Sequence, residues 1–414
     1  VDDHGDVCRQ INLSTRLFFV KILHIIPSVA SCRGGPSEAV LAMVRSQRRE
    51  AVDAEILSSN DDGAGVLQVP TGSFLQHEGA PVCFLPRLSP KFKPLREFQY
   101  SSDSASWLKQ HLPSYDCLHV HGVFSHLSTL AMHLARQKGI PYISRPLGQL
   151  HPWSLRQSAL KKKLYWALIE RSNLAGAAAI HCTSAQEAEH VTSLLPGAKA
   201  VVIPHGVEPG PTVPEAATQL REAYGIHDDG PVILFLSRWH EKKNIPILLQ
   251  ALAEIRHLPW TLILAGSTED AQLAEHVKQQ IQSLGLSERV ICPGHVKGTS
   301  KEILLQGAHV FVLPSASENF GIAVAEALVN GLPVCITPGV DLAETVKTLH
   351  GGKICEPEPL ALSVCLQHML SDVSWSDFLK RQQIREAARA CFSWTANAQA
   401  LKQLYASIVQ PTSR

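Results

Sequence analysis

The sequence predicts two doubly wound α/β domains, each a mostly parallel sheet wrapped by helices. Three observations lead there. Short apolar runs alternate with amphipathic stretches from residue 18 to about residue 390. Runs such as Ala178-Ala179-Ile180 and Val232-Ile233-Leu234-Phe235-Leu236 carry no polar alternate, as strands covered on both faces do. The alternation also restarts after a Pro/Gly-rich break at 204–214 that holds Pro204, Gly206, Pro209, Gly210, Pro211 and Pro214. A length of 414 residues suits two domains, or at most three.

Residues 1–16 are polar and patternless and read as a disordered extension. Strands are expected at 18–26, 53–58, 116–121, 140–144 and 178–182, with helices at 37–49, 125–138 and 184–195. This order implies parallel pairing through right-handed crossovers. Beyond a linker near 205–215, strands are expected at 231–237, 260–265, 289–292, 309–313 and 333–336, and one amphipathic helix closes the chain from Trp394 to Val409. The expected division is therefore 1–16, 17–204, 205–392 and 393–414. Ligands of such sheets sit beyond the carboxyl ends of the strands, so two facing domains make a cleft.

Composition excludes several classes. Lys plus Arg is 38 against 37 for Asp plus Glu, a net charge of +1, which argues against a dedicated nucleic-acid binder. No run of 18 apolar residues occurs, so a membrane-spanning helix is not expected. The stretch from Arg16 to Cys32 has the outline of a lipoprotein signal, but Lys21, His24 and Pro27 interrupt its apolar region. Ten cysteines include no CxxC pair and read as scattered buried thiols of a reducing cytoplasm. His119, His121 and His126 lack HExxH spacing and an obvious third ligand, so no metal site is expected.

Four constellations carry chemistry. The strongest is Pro314-Ser315-Ala316-Ser317-Glu318-Asn319-Phe320-Gly321, followed by Glu326 and Gly331-Leu332-Pro333-Val334. It places a strand, a loop and a helix N-terminus in succession, and the free N–H groups of that terminus hold anions or sugar oxygens. Glu318 and Glu326 are eight residues apart, roughly 12 Å at helical rise, which suits two ends of one long ligand. The second is Arg238-Trp239-His240-Glu241-Lys242-Lys243-Asn244, in a strand-to-helix loop with Asn244 placed to cap the helix and Pro246 in its first turn. Arg238 and Lys243 there suit a diphosphate, although a solvated charge cluster fits the same residues. The third is Gly34-Gly35 after the first strand, where either a close phosphate approach or an ordinary turn fits. The fourth is His119-Val120-His121-Gly122 at a strand end, with His121 either structural or directed into the cleft.

Taken with Pro204-His205-Gly206-Val207, these motifs resemble glycosyltransferase family 4 over about residues 20–408. The segments Arg145–Trp153 and Lys161–Trp166 are similar to members of bacterial polysaccharide biosynthesis. The resemblance implies a GT-B fold of two Rossmann-like domains facing across a cleft, with the C-terminal helix packing back toward the N-terminal domain. It also implies a retaining, metal-independent, cytoplasmic transferase with no cofactor, using a nucleotide diphosphate sugar as co-substrate and a glycan or lipid-linked saccharide as acceptor. Arg238 and Lys243 are then expected to hold the leaving diphosphate. Glu318 is expected to bind the transferred sugar with Asn319, Phe320 and Gly321, and Glu326 the ribose. Gly34 and Gly35 are expected beside the phosphates, His121 at the reacting face, His295 and Val296 at the base, Gly266 in a post-strand turn and Arg145 at the substrate. His205 and Asn244 depart from the family pattern, and Gly339–Glu344 matches it only loosely. Arg156, Lys161, Lys162, Lys163 and Arg171 around Leu160, Leu164, Trp166 and Leu168 suggest peripheral contact with an anionic membrane, at its inner face, or else an ordinary surface helix. The absence of GxGxxG speaks against a dinucleotide oxidoreductase. A non-catalytic nucleotide-sugar or glycan binding protein of the same fold is the alternative.

Overall fold

A computed structural model describes residues 20–63, 65–88, 98–156, 163–268 and 270–409. The polar extension 1–16, the start of the first expected strand, and Lys161 and Lys162 lie outside the described residues.

The N-terminal lobe is built on an eight-stranded sheet. Its strands are β1 (Lys21–Ser28), β2 (Asp53–Ser59), β5 (Phe74–His77), β6 (Ala80–Leu85), β7 (Cys117–His121), β8 (Tyr142–Arg145), β9 (Ala179–Cys182) and β10 (Ala200–Val202); β3 (Asp61–Asp62) and β4 (Gly65–Val66) form a separate small hairpin. The order is β10-β9-β8-β7-β1-β2-β6-β5, parallel except for β5 against β6. The C-terminal lobe carries β11 (Val232–Leu236), β12 (Thr261–Ala265), β13 (Val290–Ile291), β14 (Val310–Leu313), β15 (Val334–Ile336) and β16 (Gly352–Ile354), all parallel, in the order β13-β12-β11-β14-β15-β16. Numbered within the lobe this is 3-2-1-4-5-6, the doubly wound order whose ligand crevice opens where the winding reverses. The reversal falls between β11 and β14 in the C-terminal lobe and between β1 and β7 in the N-terminal one. Those are the strand ends that carry the loops singled out above.

Helices cover both sheets. The ones that position the site are α1 (Gly35–Arg49), α2 (His126–Lys138), α3 (Ala185–Leu194), α4 (Ile245–Glu254), α5 (Ile322–Val329), α6 (Pro359–Ser371) and α7 (Trp394–Ile408). Their ends follow local chemistry. Ser184 accepts the Glu187 N–H at the start of α3, and Gly139, at φ +66°, closes α2 in the left-handed region a side chain would resist. The helix after β14 begins at Ile322, because Gly321 takes φ +83° and sets the turn.

The core of the C-terminal lobe runs from Val207 to Phe392, and all five residues of β11 and of β12 are buried. Helix α7 belongs to the other lobe. Trp394, Leu401, Leu404 and Tyr405 pack with β1 and α1, Ser46 Oγ–H donates to the Trp394 carbonyl at 2.9 Å, and Lys402 donates to the Glu50 carbonyl at 2.8 Å. The chain thus crosses from one lobe to the other twice, as expected. Strands β3, β4, β5, β6, β10 and β16 fall outside the expected ones. All but β6 have four residues or fewer.

Candidate active site

The loops after β11 and β14 are tied to each other before any ligand is considered. Ala316 N–H donates to the Lys242 carbonyl at 2.7 Å, and the Asn244 side-chain amide donates to the Pro314 carbonyl at 2.9 Å. Asn244 sits at φ +53° and spends its side chain on this cross-loop bond; it does not cap α4 with it, contrary to expectation, while Pro246 does occupy the first turn. The result is a short turn, Glu241–Lys243, that aims the Lys243 ammonium at Glu318. Their side chains are 8% and 20% exposed, so the ion pair is sheltered and still reachable. Burial lowers the Lys243 pKa below its ordinary value, with Glu318 offsetting part of the effect. Burial alone would raise Glu318, but Lys243, Lys242 and Arg238 outweigh it and hold the carboxyl below its usual range. Arg238 is exposed and makes no hydrogen bond to any described residue, yet its charge reaches Glu318.

The N-terminal lobe closes on the same loop. A Cβ on Gly35 would stand 2.7 Å from Ile322 Cδ1, and one on Gly148 would stand 2.6 Å from the Asn319 Cβ. Gly34 at φ +77° opens α1 immediately before this contact. Asn319 donates to Thr183 Oγ1 at 3.2 Å, Ser317 lies 3.2 Å from His151 Nδ1, and Ser184 donates to Asp341 at 2.9 Å. Phe320 packs edge-on against His205 with ring centres 4.9 Å apart. The segment Ser317–Gly321 is therefore gripped from both lobes. Glu318 is also bridged to the loop after β15: its N–H donates to the Gly339 carbonyl, and its own carbonyl accepts the Asp341 N–H at 3.0 Å.

Other expected residues make contacts of their own. Glu326 accepts a hydrogen bond from Lys301 at 2.8 Å, and the Lys301 charge also feels Glu38 of the N-terminal lobe. Gly266, at φ +124°, donates its N–H to the Gly294 carbonyl at 2.7 Å, which sets an exposed His295 and a half-buried Val296 just past the end of β12.

Two expected residues lie elsewhere. His121 and Arg145 are wholly buried behind the N-terminal wall and belong to a hydrogen-bonded chain that spacing did not reveal. The chain's direction follows from its two ends. Arg145 only donates, so His121 Nδ1 accepts from it at 3.3 Å; the Ile203 carbonyl only accepts, so His181 Nε2–H donates to it at 2.9 Å. Neutral rings then leave one arrangement. His121 Nε2–H donates to His24 Nδ1 at 2.9 Å, and His24 Nε2–H donates to Gln47 Oε1 at 2.8 Å. The Gln47 amide donates to the Tyr405 hydroxyl at 3.1 Å, Tyr405 donates to His119 Nδ1 at 2.7 Å, and His119 Nε2–H donates to His181 Nδ1 at 3.2 Å. Burial, with the nearby Arg145 charge, pushes His24 down to about 4 and His181 to about 3, and lowers His119, His121 and His205 well below 6.5. Arg145 also bonds His205, and burial lowers it to about 10. His121 thus presents no open ring nitrogen to the cleft. Ligand atoms of His24, His119 and His121 lie within 4.8 Å of one another, so His24 is the third ring the spacing lacked, but all six nitrogens already have partners and a guanidinium stands beside them. That set is built as a neutral network rather than as a cation site.

Asp341 was missed. It is 7% exposed, one carboxylate oxygen has no hydrogen-bond partner among the described residues, and burial with Glu187 and Glu318 nearby pushes it up to about 7. The only sequence signal was the loosely matching Gly339–Glu344 segment.

Comparison with known proteins agrees with this architecture. Residues 34–206 match the model of the glycosyl transferase 4-like domain, and residues 216–390 that of glycosyl transferases group 1. The chain is 26% identical over 402 residues to a D-inositol 3-phosphate glycosyltransferase of Xylanimonas cellulosilytica, covering 90% of this chain and 91% of that one. It is 23% identical over 397 residues to the GDP-mannose:cellobiosyl-diphosphopolyprenol alpha-mannosyltransferase of Komagataeibacter xylinus, covering 94% of each. The structure of Anabaena HepE in complex with UDP and glucose superposes with a TM-score of 0.72 at 20% identity, over 94% of this chain and all of that one. Two lobes of doubly wound sheet, a two-sided grip on the Glu318 loop and a family match on each lobe lead to one assignment: the chain belongs to glycosyltransferase family 4, with the GT-B fold.

Proposed function

We propose that the chain moves a sugar from a nucleotide diphosphate sugar to a hydroxyl of a glycan or lipid-linked saccharide, with retention at the anomeric carbon and without a metal ion. The observation that carries the reading is the Lys243–Glu318 pair with Arg238 beside it, at the winding reversal of the C-terminal sheet, where Gly35 of the N-terminal lobe comes against Ile322 at the start of α5. When the bond between the sugar and the diphosphate breaks, negative charge collects on the leaving phosphate. Fixed cations at that point stabilise the charge as it develops and need no reorganisation. Arg238 is free to fork onto phosphate oxygens, and Lys243 acts as a point charge. Glu318 accepts hydrogen bonds from the transferred sugar once the ammonium swings toward phosphate. Glu326 takes the ribose hydroxyls, His295 and Val296 border the base, and Gly34 and Gly35 let the N-terminal backbone approach the donor. His121 and Arg145 act from behind, as a stiff support for the acceptor wall. The leaving phosphate oxygen takes the acceptor proton, so the reading requires no separate carboxylate base.

The relatives support a place in cell-surface polysaccharide synthesis of a bacterium, at the cytoplasmic face, since one of them acts on a diphosphopolyprenol acceptor. Leu164 and Leu168 are 62% and 69% exposed beside Lys163 and Arg171, which suits peripheral contact with anionic lipid. No helix among the described residues is long and apolar enough to cross a membrane.

Release of nucleoside diphosphate by the purified chain, with UDP- and GDP-sugars and a lipid-linked saccharide, tests the reading. Turnover in the presence of a metal chelator supports it. Tight donor binding with no release under any acceptor would leave the non-catalytic alternative standing instead.

A further inference from the structure

Ten cysteines without a paired motif read as scattered thiols, but the fold gathers three of them. Cys335 lies in the middle of β15 and is buried; Cys355 follows β16 directly and Cys365 sits in α6, both half-buried. The Cys355 N–H donates to the Ile336 carbonyl at 3.0 Å, extending the β15–β16 ladder by one residue and fixing Cys355 next to Cys335. The sulfurs of Cys335 and Cys365 are 3.5 Å apart, those of Cys335 and Cys355 3.9 Å, and all three lie within 4.8 Å of one another. With Zn–S bonds of about 2.3 Å, a tetrahedral site has sulfurs about 3.8 Å apart. Two of the three edges are therefore within a few tenths of an ångström of that figure.

We propose that Cys335, Cys355 and Cys365 form a thiolate site for a Zn2+ ion in the C-terminal lobe, separate from the donor site. Three soft sulfur ligands select zinc over the hard cations magnesium and calcium. Binding releases the three thiol protons to solvent and leaves a centre of net charge −1. The Lys353 charge acts on Cys365 and balances that centre. The half-buried sulfurs give the ion a way in, and the fourth position is left to water. Because β15 leads straight into the loop that carries Asp341, the ion ties down the strand behind the donor wall.

The test is a titration of the reduced, chelator-stripped full chain with Zn2+ against a chromophoric chelator. The wild type and C292S, an exposed cysteine outside the cluster, are compared with C355S and C365S. The proposal expects one ion per chain for wild type and C292S, at least tenfold weaker binding for C355S and C365S, and slower iodoacetamide alkylation of Cys355 and Cys365 when zinc is present. C335S is avoided because its buried position confounds binding with folding, and unchanged melting of C355S and C365S without zinc shows that those two fold. Zinc uptake by wild type no greater than by C365S overturns the proposal, as does an ion that survives both substitutions.

Discussion

On the C-terminal wall of the cleft, Lys243 and Glu318 meet as charged groups, the first buried and the second partly exposed, with Arg238 open to solvent beside them. Behind the N-terminal wall, five histidines and a tyrosine are fully or almost fully buried, and burial keeps the rings neutral beside a single guanidinium. The difference separates two tasks. A sheltered ion pair that solvent still reaches can trade its partner for the charge of a ligand. A neutral chain in which every ring nitrogen has a partner cannot, and it gives shape and stiffness instead.

The sharpest way to break this comparison is on the charged side. Lys243→Ala removes a cation from the leaving group and leaves Glu318 without its partner, so turnover should fall on the order of 10²-fold or more. The same substitution should leave the melting temperature far less affected than turnover, since solvent still reaches the Glu318 carboxylate left behind. Steady-state assay beside calorimetry checks both. The neutral side should respond in the opposite sense, in stability before rate. Folded rings at about 4 or lower, against 6.5 when unfolded, mean that the unfolded chain binds more protons as pH falls. Stability is thus lost on going from pH 6.5 toward pH 4, by up to about 1.4 kcal/mol per pH unit for each ring. Chemical denaturation across that range reads the slope; a flat profile would show that the rings are charged in the fold.

Smaller effects sharpen the picture. Tyr405→Phe strands His119 Nδ1 and the Gln47 amide and should cost about 1–3 kcal/mol with donor affinity nearly unchanged. Asp341 lies between the walls and has the opposite pH sign. It keeps its proton up to about pH 7 in the fold but releases it near 3.8 when unfolded, so the wild type loses stability as pH rises through that window. Asp341→Asn removes the loss, and its melting temperature should exceed that of the wild type at pH 8, with the gap closing toward pH 4.

Much of this was legible before the structure. Apolar runs with no polar alternate marked β11, β12 and β14 because those strands are buried on both faces, and motif spacing marked Arg238, Lys243 and Glu318 because they follow the ends of β11 and β14 closely in sequence, with Glu326 in the helix after them. What stayed hidden depends on distant parts of the chain. Tyr405 meets His119 across 286 residues and Ser184 meets Asp341 across 157, with no periodicity to announce either contact. Strand β16 contributes one apolar side chain, and its pairing comes from β15 rather than from its own pattern. His24 read only as an interruption of an apolar run, and His121 as a structural or cleft residue; the parallel register of β1 and β7 sets His24 beside His119, and His24 Nδ1 comes 2.9 Å from His121 Nε2.

The most direct test of the central claim compares the binding of nucleoside diphosphate and nucleoside monophosphate by calorimetry, in the wild type and in the Arg238→Ala/Lys243→Ala double variant. If the two cations hold the leaving diphosphate, the wild type prefers the diphosphate by at least tenfold and the double variant loses most of that preference while keeping its affinity for the monophosphate. An undiminished preference in the double variant would mean that the charge is met elsewhere.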